Sequence, residues 1–185
     1  MTPRTDNGIR VGDTSALIEG IKRSREKEEV EIETILKRSE LFLGLDDADL
    51  LKIAGLPSSR KILVSPGETI FENGERAKYL YVLASGQVDL LADVPAERRS
   101  VRDNVVIDTV TTGGCFGWSA MVAPHFYVMT AVCTQTAELV IISGAELMGL
   151  LEEDNSIGYG VFQSLSHIIG ARLRDVEKTL ARLFR

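Results

Sequence analysis

The stretch GGCFGWSAMVAPHFYVMTA, residues 113–131, decides how this chain folds. Its opening glycines let the backbone turn tightly or approach a ligand closely. Phe116-Gly117 then leads into the small residues Ser119 and Ala120, and the stretch closes in an apolar run suited to a strand. The order turn, small residues, strand is that of a cassette that could cradle an anion with backbone amides. Yet no Asp, Glu, Lys or Arg lies between Gly117 and Thr130. The cassette has the shape of an anion site without the charges that usually complete one.

Strand signals surround it. Upstream, KILVSPGETIFENGERAKYLYVLASGQVDLLADV (61–94) carries turn signals at Ser65-Pro66-Gly67, Asn73-Gly74 and Ser85-Gly86. Between them Tyr79, Tyr81 and Leu83 alternate with Leu80, Val82 and Ala84, and Val88 and Leu90 follow. A polar loop is expected at 95–103, a strand in NVVIDTV (104–110), and two more in TAVCTQTAELVIIS (130–143). Many short strands with turns between them predict a mainly β chain, a jelly roll or double-stranded β-helix barrel over 58–143.

Helices flank the barrel, making the fold class α+β. Residues 1–20 lack periodicity and read as a mobile tail. N-terminal helices are expected over 21–57. In the first, Val30, Ile32, Ile35 and Leu36 give a weak apolar side and the many charges read as a solvated face. In the second, Asp46 or Asp47 caps a turn bearing Leu50, Leu51 and Ile53. Residues 144–185 hold a short helix beginning at Ser143 or Gly144, and a long one from about Ser156 to Phe184. Along the latter Ile169, Leu173, Val176, Leu180 and Leu183 fall at spacings of four, three, four and three, a heptad seam. The seam packs either on the chain's own barrel or on a second copy; its continuation to the terminus favours a homodimer.

Composition narrows the function. The 185 residues are 44% hydrophobic and 26% charged, with net charge −6, as for one soluble domain with additions at its ends. Acidity disfavours non-specific binding to nucleic acid or anionic membrane. The polar start is no signal peptide, and no apolar run nears the roughly 20 residues of a membrane span, so a cytoplasmic location is expected. Two histidines, His125 and His167, and two unpaired-looking cysteines, Cys115 and Cys133, spell no metal site. No nucleophile–base motif is present, and enzyme activity is not expected.

Three segments in order, LFLGL..ADLLKIA, PGETIFENGE.A.YLYVLASGQVDLL and GGCFGWSAM, with glycines at 67, 74, 86 and 117, resemble the cyclic nucleotide-binding domain of the catabolite-activator and oxygen-regulator (Crp/Fnr-like) superfamily. The resemblance implies a ligand cassette formed by Phe116, Gly117, Trp118, Ser119, Ala120, Tyr127, Val128 and Thr130. In the family pattern a Glu follows Phe-Gly to meet the ribose, and an Arg nine or ten residues on pairs with the cyclic phosphate. Here those positions are Trp118 and Tyr127. Losing both charge-assisted contacts weakens cyclic AMP or cyclic GMP binding by roughly hundreds- to thousands-fold. Trp118 also reads as a core aromatic filling the space of the sugar.

The resulting expectation is a regulatory or sensory module with a noncanonical pocket, acting through dimerisation and an unidentified protein partner. The alternative is a true cyclic nucleotide receptor using backbone amides, Ser119, Tyr127 and Thr130. Relatives of this fold that sense haem direct attention to Cys115, His125 and Cys133, but a lone loop histidine is a weak haem ligand, so a haem or redox sensor ranks third. The family's DNA-binding helix-turn-helix is not expected, because the chain ends after the long helix. The basic residues Arg172, Arg174, Lys178, Arg182 and Arg185 are read as cations favoured near a helix C-terminus.

Overall fold

The computed structural model describes residues 11–92 and 105–183, without the side chains of 11–16, 175, 176 and 178–183. The expected polar loop at 95–103 lies outside the described residues, as does the start of the expected tail. Helix α1 runs Val11–Leu36, so residues 11–20 belong to it rather than to a tail. Then follow α2 (Asp47–Ala54), β1 (Arg60–Val64), β2 (Thr69–Phe71), β3 (Tyr79–Ala92), β4 (Val105–Val110), β5 (Cys115–Phe116), a 3-10 turn (Trp118–Ala120), β6 (Thr130–Ser143), α3 (Gly144–Glu153) and α4 (Asn155–Leu183). The fold is mainly β with flanking helices, the jelly-roll class the alternation indicated.

The pair β3–β6 is the spine. The two strands run antiparallel from Tyr79↔Ser143 to Leu91↔Thr130. On β6 also pair β1 and β2, and on β3 also β4 and β5. Alternation here does not separate core from solvent. Leu80, Val82, Val140 and Ile142 face a core shared with the helices, while Tyr81, Leu83, Leu139 and Ile141 face the barrel interior. Both faces are apolar because both are covered, and the period of two assigns each side chain to one core or the other.

Two expectations about these strands are corrected. Residues 130–143 form one strand, not two, and Ser85-Gly86 lies inside β3 rather than in a hairpin turn. The register shifts at Leu83/Ser85, Ser85/Gln87 and Gln87/Val88, so the chain bends by bulging while it keeps pairing. Gly86 makes the bulge possible. Its φ is +95°, and a Cβ there would stand 2.3 Å from the Thr136 carbonyl oxygen.

The helices seal the outer face. On α1, Ile32 and Leu36 are buried one turn apart, whereas Val30 is exposed, which corrects its placement on the apolar side. The charged face is not wholly solvated either. The Arg25 guanidinium donates to the Leu56 carbonyl at 3.0 Å, Glu28 accepts from the Lys61 amide at 3.3 Å, and Lys61 pairs with both Glu31 and Glu138. Asp46, not Asp47, caps α2, accepting from the Asp49 amide at 2.9 Å. Leu50 and Ile53 are buried, and Leu51 is exposed. Ser143 caps α3, accepting from the Glu146 amide at 3.4 Å.

Gly86→Ala puts an unrelievable Cβ against backbone at a left-handed position, and is expected to cost about 2–4 kcal/mol of stability. Urea denaturation of the two proteins measures it; equal midpoints would contradict the bulge.

Candidate functional site

The cassette hangs from the spine. β5 pairs with β3 through Tyr81↔Phe116 and Val82↔Cys115, which buries Phe116 in the barrel and Cys115 in the helical core. Gly117 then takes φ +74°, where a Cβ would lie 2.8 Å from both the Tyr79 carbonyl and the Tyr81 ring. Only glycine passes between strand and ring here. The following turn is a single 3-10 turn. The Ala120 amide donates to Gly117 at 3.0 Å, so it is spent within the turn and does not face an anion as expected.

The exit of the cassette is zipped to the β2–β3 connection. Gly74 donates to the Tyr127 carbonyl at 2.8 Å, Tyr127 donates to Glu75 at 2.9 Å, and Ala77 donates to His125 at 2.8 Å. This short ladder imposes alternation. Phe126 and Val128 point outward, 45% and 63% exposed, and Tyr127 points in, 4% exposed. Val128 is therefore mostly exposed, although it still borders the small cavity below. Thr130 accepts from the Asn73 amide at 3.1 Å.

Tyr127 fills the barrel mouth. Its ring stacks on Phe71 at 3.7 Å between centroids and 13° between planes. Phe71 in turn meets Tyr81 and Phe116 at 5.6 and 6.0 Å, and those two stack at 5.0 Å. The Tyr127 hydroxyl donates to the Tyr79 carbonyl at 2.9 Å and accepts from the Tyr79 amide at 3.2 Å. Desolvation raises the Tyr127 phenol above its usual range, and burial does the same to Tyr81, so both stay neutral.

Between the rings and the cassette turn remains a cavity of about 20 Å³ lined by Phe71, Leu90, Gly117, Trp118, Ser119 and residues 127–129, with Arg172; Phe71, Tyr81 and Tyr127 also border an open surface groove of about 420 Å³ with Arg76 and Lys78. The small cavity holds about one water. Sites for small molecules are usually roughly 300–1,000 Å³. Trp118 is half-buried and packs against the helical core, so it joins the cassette to the helices.

Phe71, Leu90 and Arg172 are site residues the sequence reading did not single out. Arg172 reaches the cassette from 57 positions away: its guanidinium donates to the Cys115 carbonyl at 2.6 Å and pairs with Asp108 at 3.2 Å. Its reading as a cation serving the helix C-terminus is corrected. A signal existed. Ile157, Val161, Leu165 and Ile168 are the buried face of α4, and 172 continues that face, where a charge calls for a partner.

The cysteines are held away from reactivity. Burial, then the neighbouring Glu40 carboxylate, pushes the Cys115 thiol from 9.0 up to about 12. Glu40 itself accepts from the Cys115 amide at 3.0 Å. Desolvation raises Cys133 too, and its thiol donates to the Gln135 carbonyl at 2.9 Å. His125 sits apart from both, on the rim of a different groove. Among the described residues no cluster of His, Cys, Asp or Glu could hold a metal ion.

The sheet topology and the Phe-Gly cassette define a cyclic nucleotide-binding fold. The family model described as "Cyclic nucleotide-binding domain" matches residues 61–154, and the chain belongs to that family. A cAMP-dependent protein kinase regulatory subunit from Eremothecium gossypii is 28% identical over 159 residues, covering 80% of this chain and 32% of that protein. The chain thus spans about a third of the curated relatives it matches. The catabolite activator protein of Thermus thermophilus superposes with a TM-score of 0.62 at 23% identity, covering 78% of this chain and 63% of the other. A mutant regulatory subunit of a cAMP-independent protein kinase A from Trypanosoma brucei, with cAMP in its A site, gives 0.67 at 18% identity, covering 86% and 53%. No described helix is long and apolar enough to cross a membrane.

Tyr127→Phe removes the hydroxyl that meets both the backbone N–H and the carbonyl of Tyr79, and is expected to destabilise the fold by about 1–3 kcal/mol in urea titration. Because the folded Cys115 keeps its proton, its stability contribution is present below pH 9.0 and declines as pH rises from there toward about 12. Cys115→Ala should flatten that part of the stability–pH curve, and Cys115 should react with a thiol reagent only on unfolding.

Proposed function

We propose that the chain is a regulatory module of the cyclic nucleotide-binding family whose pocket is occupied by its own side chains, and which works as a homodimer through α4. The observation that carries the first half is Tyr127. It stands where the family pattern has the phosphate-binding Arg, and its ring is stacked and its hydroxyl bonded inside the barrel. A cyclic nucleotide would have to displace that ring and break both hydrogen bonds without an Arg or Glu from the cassette to offset the loss.

Support for the dimer comes from a second apolar face of α4. One face, Ile157, Val161, Leu165 and Ile168, is buried on the chain's own core. Offset from it, Tyr159, Phe162 and Leu173 are 73%, 42% and 58% exposed, and Ile169 between them is half-buried. In sequence the heptad continues through Val176, Leu180 and Leu183, whose side chains lie outside the described residues. Both alternatives for the seam thus have a face: one for the barrel, one for a partner helix. Arg172 ties α4 to the cassette through the Cys115 carbonyl. Any ligand that favours one position of that helix would shift the dimer surface by its differential affinity.

The second reading is an atypical cyclic nucleotide receptor. What favours it is Arg172, a cation already lining the cavity, which would take the phosphate if Tyr127 swung out.

Sedimentation equilibrium should give twice the monomer mass of 20.3 kDa, and Val176→Asp with Leu180→Asp should give the monomer; a monomeric parent overturns the dimer. In calorimetry, cyclic AMP and cyclic GMP should produce no binding heat at millimolar ligand. The double variant Trp118→Glu, Tyr127→Arg should gain binding. Micromolar affinity in the parent, lost in Arg172→Gln, would establish the receptor instead.

A further inference from the structure

On the other side of the cassette lies a groove of about 710 Å³, the size of a small-molecule site, while the family cavity holds about 20 Å³. Its walls differ in charge. One wall is the β2–β3 connection and the cassette exit, with Arg76, Lys78 and His125; the other is α3, with Glu146 and Glu152; Met121 and Met148 contribute apolar surface.

Several observations make the basic wall a site for an anion. Arg76 and Lys78 are exposed and enter no ion pair or side-chain hydrogen bond among the described residues, whereas Lys37, Lys52 and Lys61 are all paired. His125 has φ +61°, the one non-glycine residue with positive φ among those described. That conformation costs energy for a residue with a Cβ. It is fixed by the Ala77→His125 hydrogen bond at 2.8 Å, which links the wall's two segments. The three side chains offer a planar fork, an ammonium and a ring N–H, donors matched to phosphate oxygens.

The acidic wall is built differently. Glu146 accepts from the Ser58 amide at 2.9 Å, so its position is set by the fold. Glu152, two turns nearer the helix end, is exposed and enters no ion pair among the described residues. A ligand satisfying both walls carries an anion at one end and hydrogen-bond donors at the other, with a flat or apolar body to lie on the methionines.

We infer that this groove binds a small organic phosphate bearing hydrogen-bond donors on its body, a nucleoside monophosphate in type, with the phosphate on Arg76, Lys78 and His125. The site is separate from the family pocket and independent of whether that pocket is closed.

The test is a titration of the full chain, followed by amide chemical shifts, with adenosine 5′-monophosphate, inorganic phosphate and adenosine as probes. The expected result is saturable binding of the monophosphate, tighter than either fragment, with shifts at residues 76–79, 125 and 145–148. Arg76→Glu with Lys78→Glu should weaken it roughly tenfold or more. Met148→Trp, which fills the groove from the opposite wall, should abolish it while both variants keep the parent's melting temperature. No saturation at millimolar monophosphate overturns the proposal. So does binding whose shifts fall on residues 117–119 and 127, and that outcome would at the same time count against a closed family pocket. Equal affinity for inorganic phosphate alone overturns the part assigned to α3 and the methionines.

Discussion

The β3–β6 pairing governs the rest of the molecule, because both of its faces are buried. One face closes over the helices and the other over the aromatic barrel, so a single antiparallel ladder carries two cores at once. A one-residue slip would exchange them, moving Tyr81 and Leu83 into the space of Leu80 and Val82. The bulge at Gly86 bends the ladder without ending it. β5 can then hang from β3, and the cassette is placed against both cores: Cys115 in one, Phe116 in the other.

From that placement follows the character of the site. A turn of three residues between strand and exit segment has little freedom, and the ladder between residues 74–77 and 125–127 sets which side chains point inward. Tyr127 points inward by alternation, finds Phe71 to stack on, and finds both polar atoms of Tyr79 for its hydroxyl. Apolar stacking and a satisfied hydroxyl stabilise one another here, since neither is available to a ring turned toward solvent. That geometry puts an aromatic ring at the cassette's inner side. Arg172 then connects the cassette to α4 through the Cys115 carbonyl.

Much of the fold was legible from local signals. Spaced glycines, turn dipeptides and strand alternation gave the barrel, Asp46 and Ser143 announced their helices, and the lack of Asp, Glu, Lys and Arg between Gly117 and Thr130 was visible directly. The errors share a cause. Ser85-Gly86 reads as a turn because positive φ is required there, but turn and bulge make the same local demand, and only the partner strand distinguishes them. Val30 reads as part of the apolar side of α1 because α1 is nearly polar all round; its buried residues, Ile32 and Leu36, are those that meet Leu50 and Ile53 of α2. The charges of α1 looked solvated because their partners, Lys61 and the Leu56 carbonyl, come from elsewhere in the chain.

By itself, the sequence determined the element types, the double apolar alternation of the central strands and the absence of charged residues between Gly117 and Thr130. These depend on residue chemistry at fixed short spacing. The tertiary structure decided that Tyr127 stacks on Phe71, which face of α4 meets the core, and that an arginine far along the chain ends beside the cassette. Each of those is a contact between residues distant in sequence. Such contacts are set by how the layers pack, and no local period encodes them.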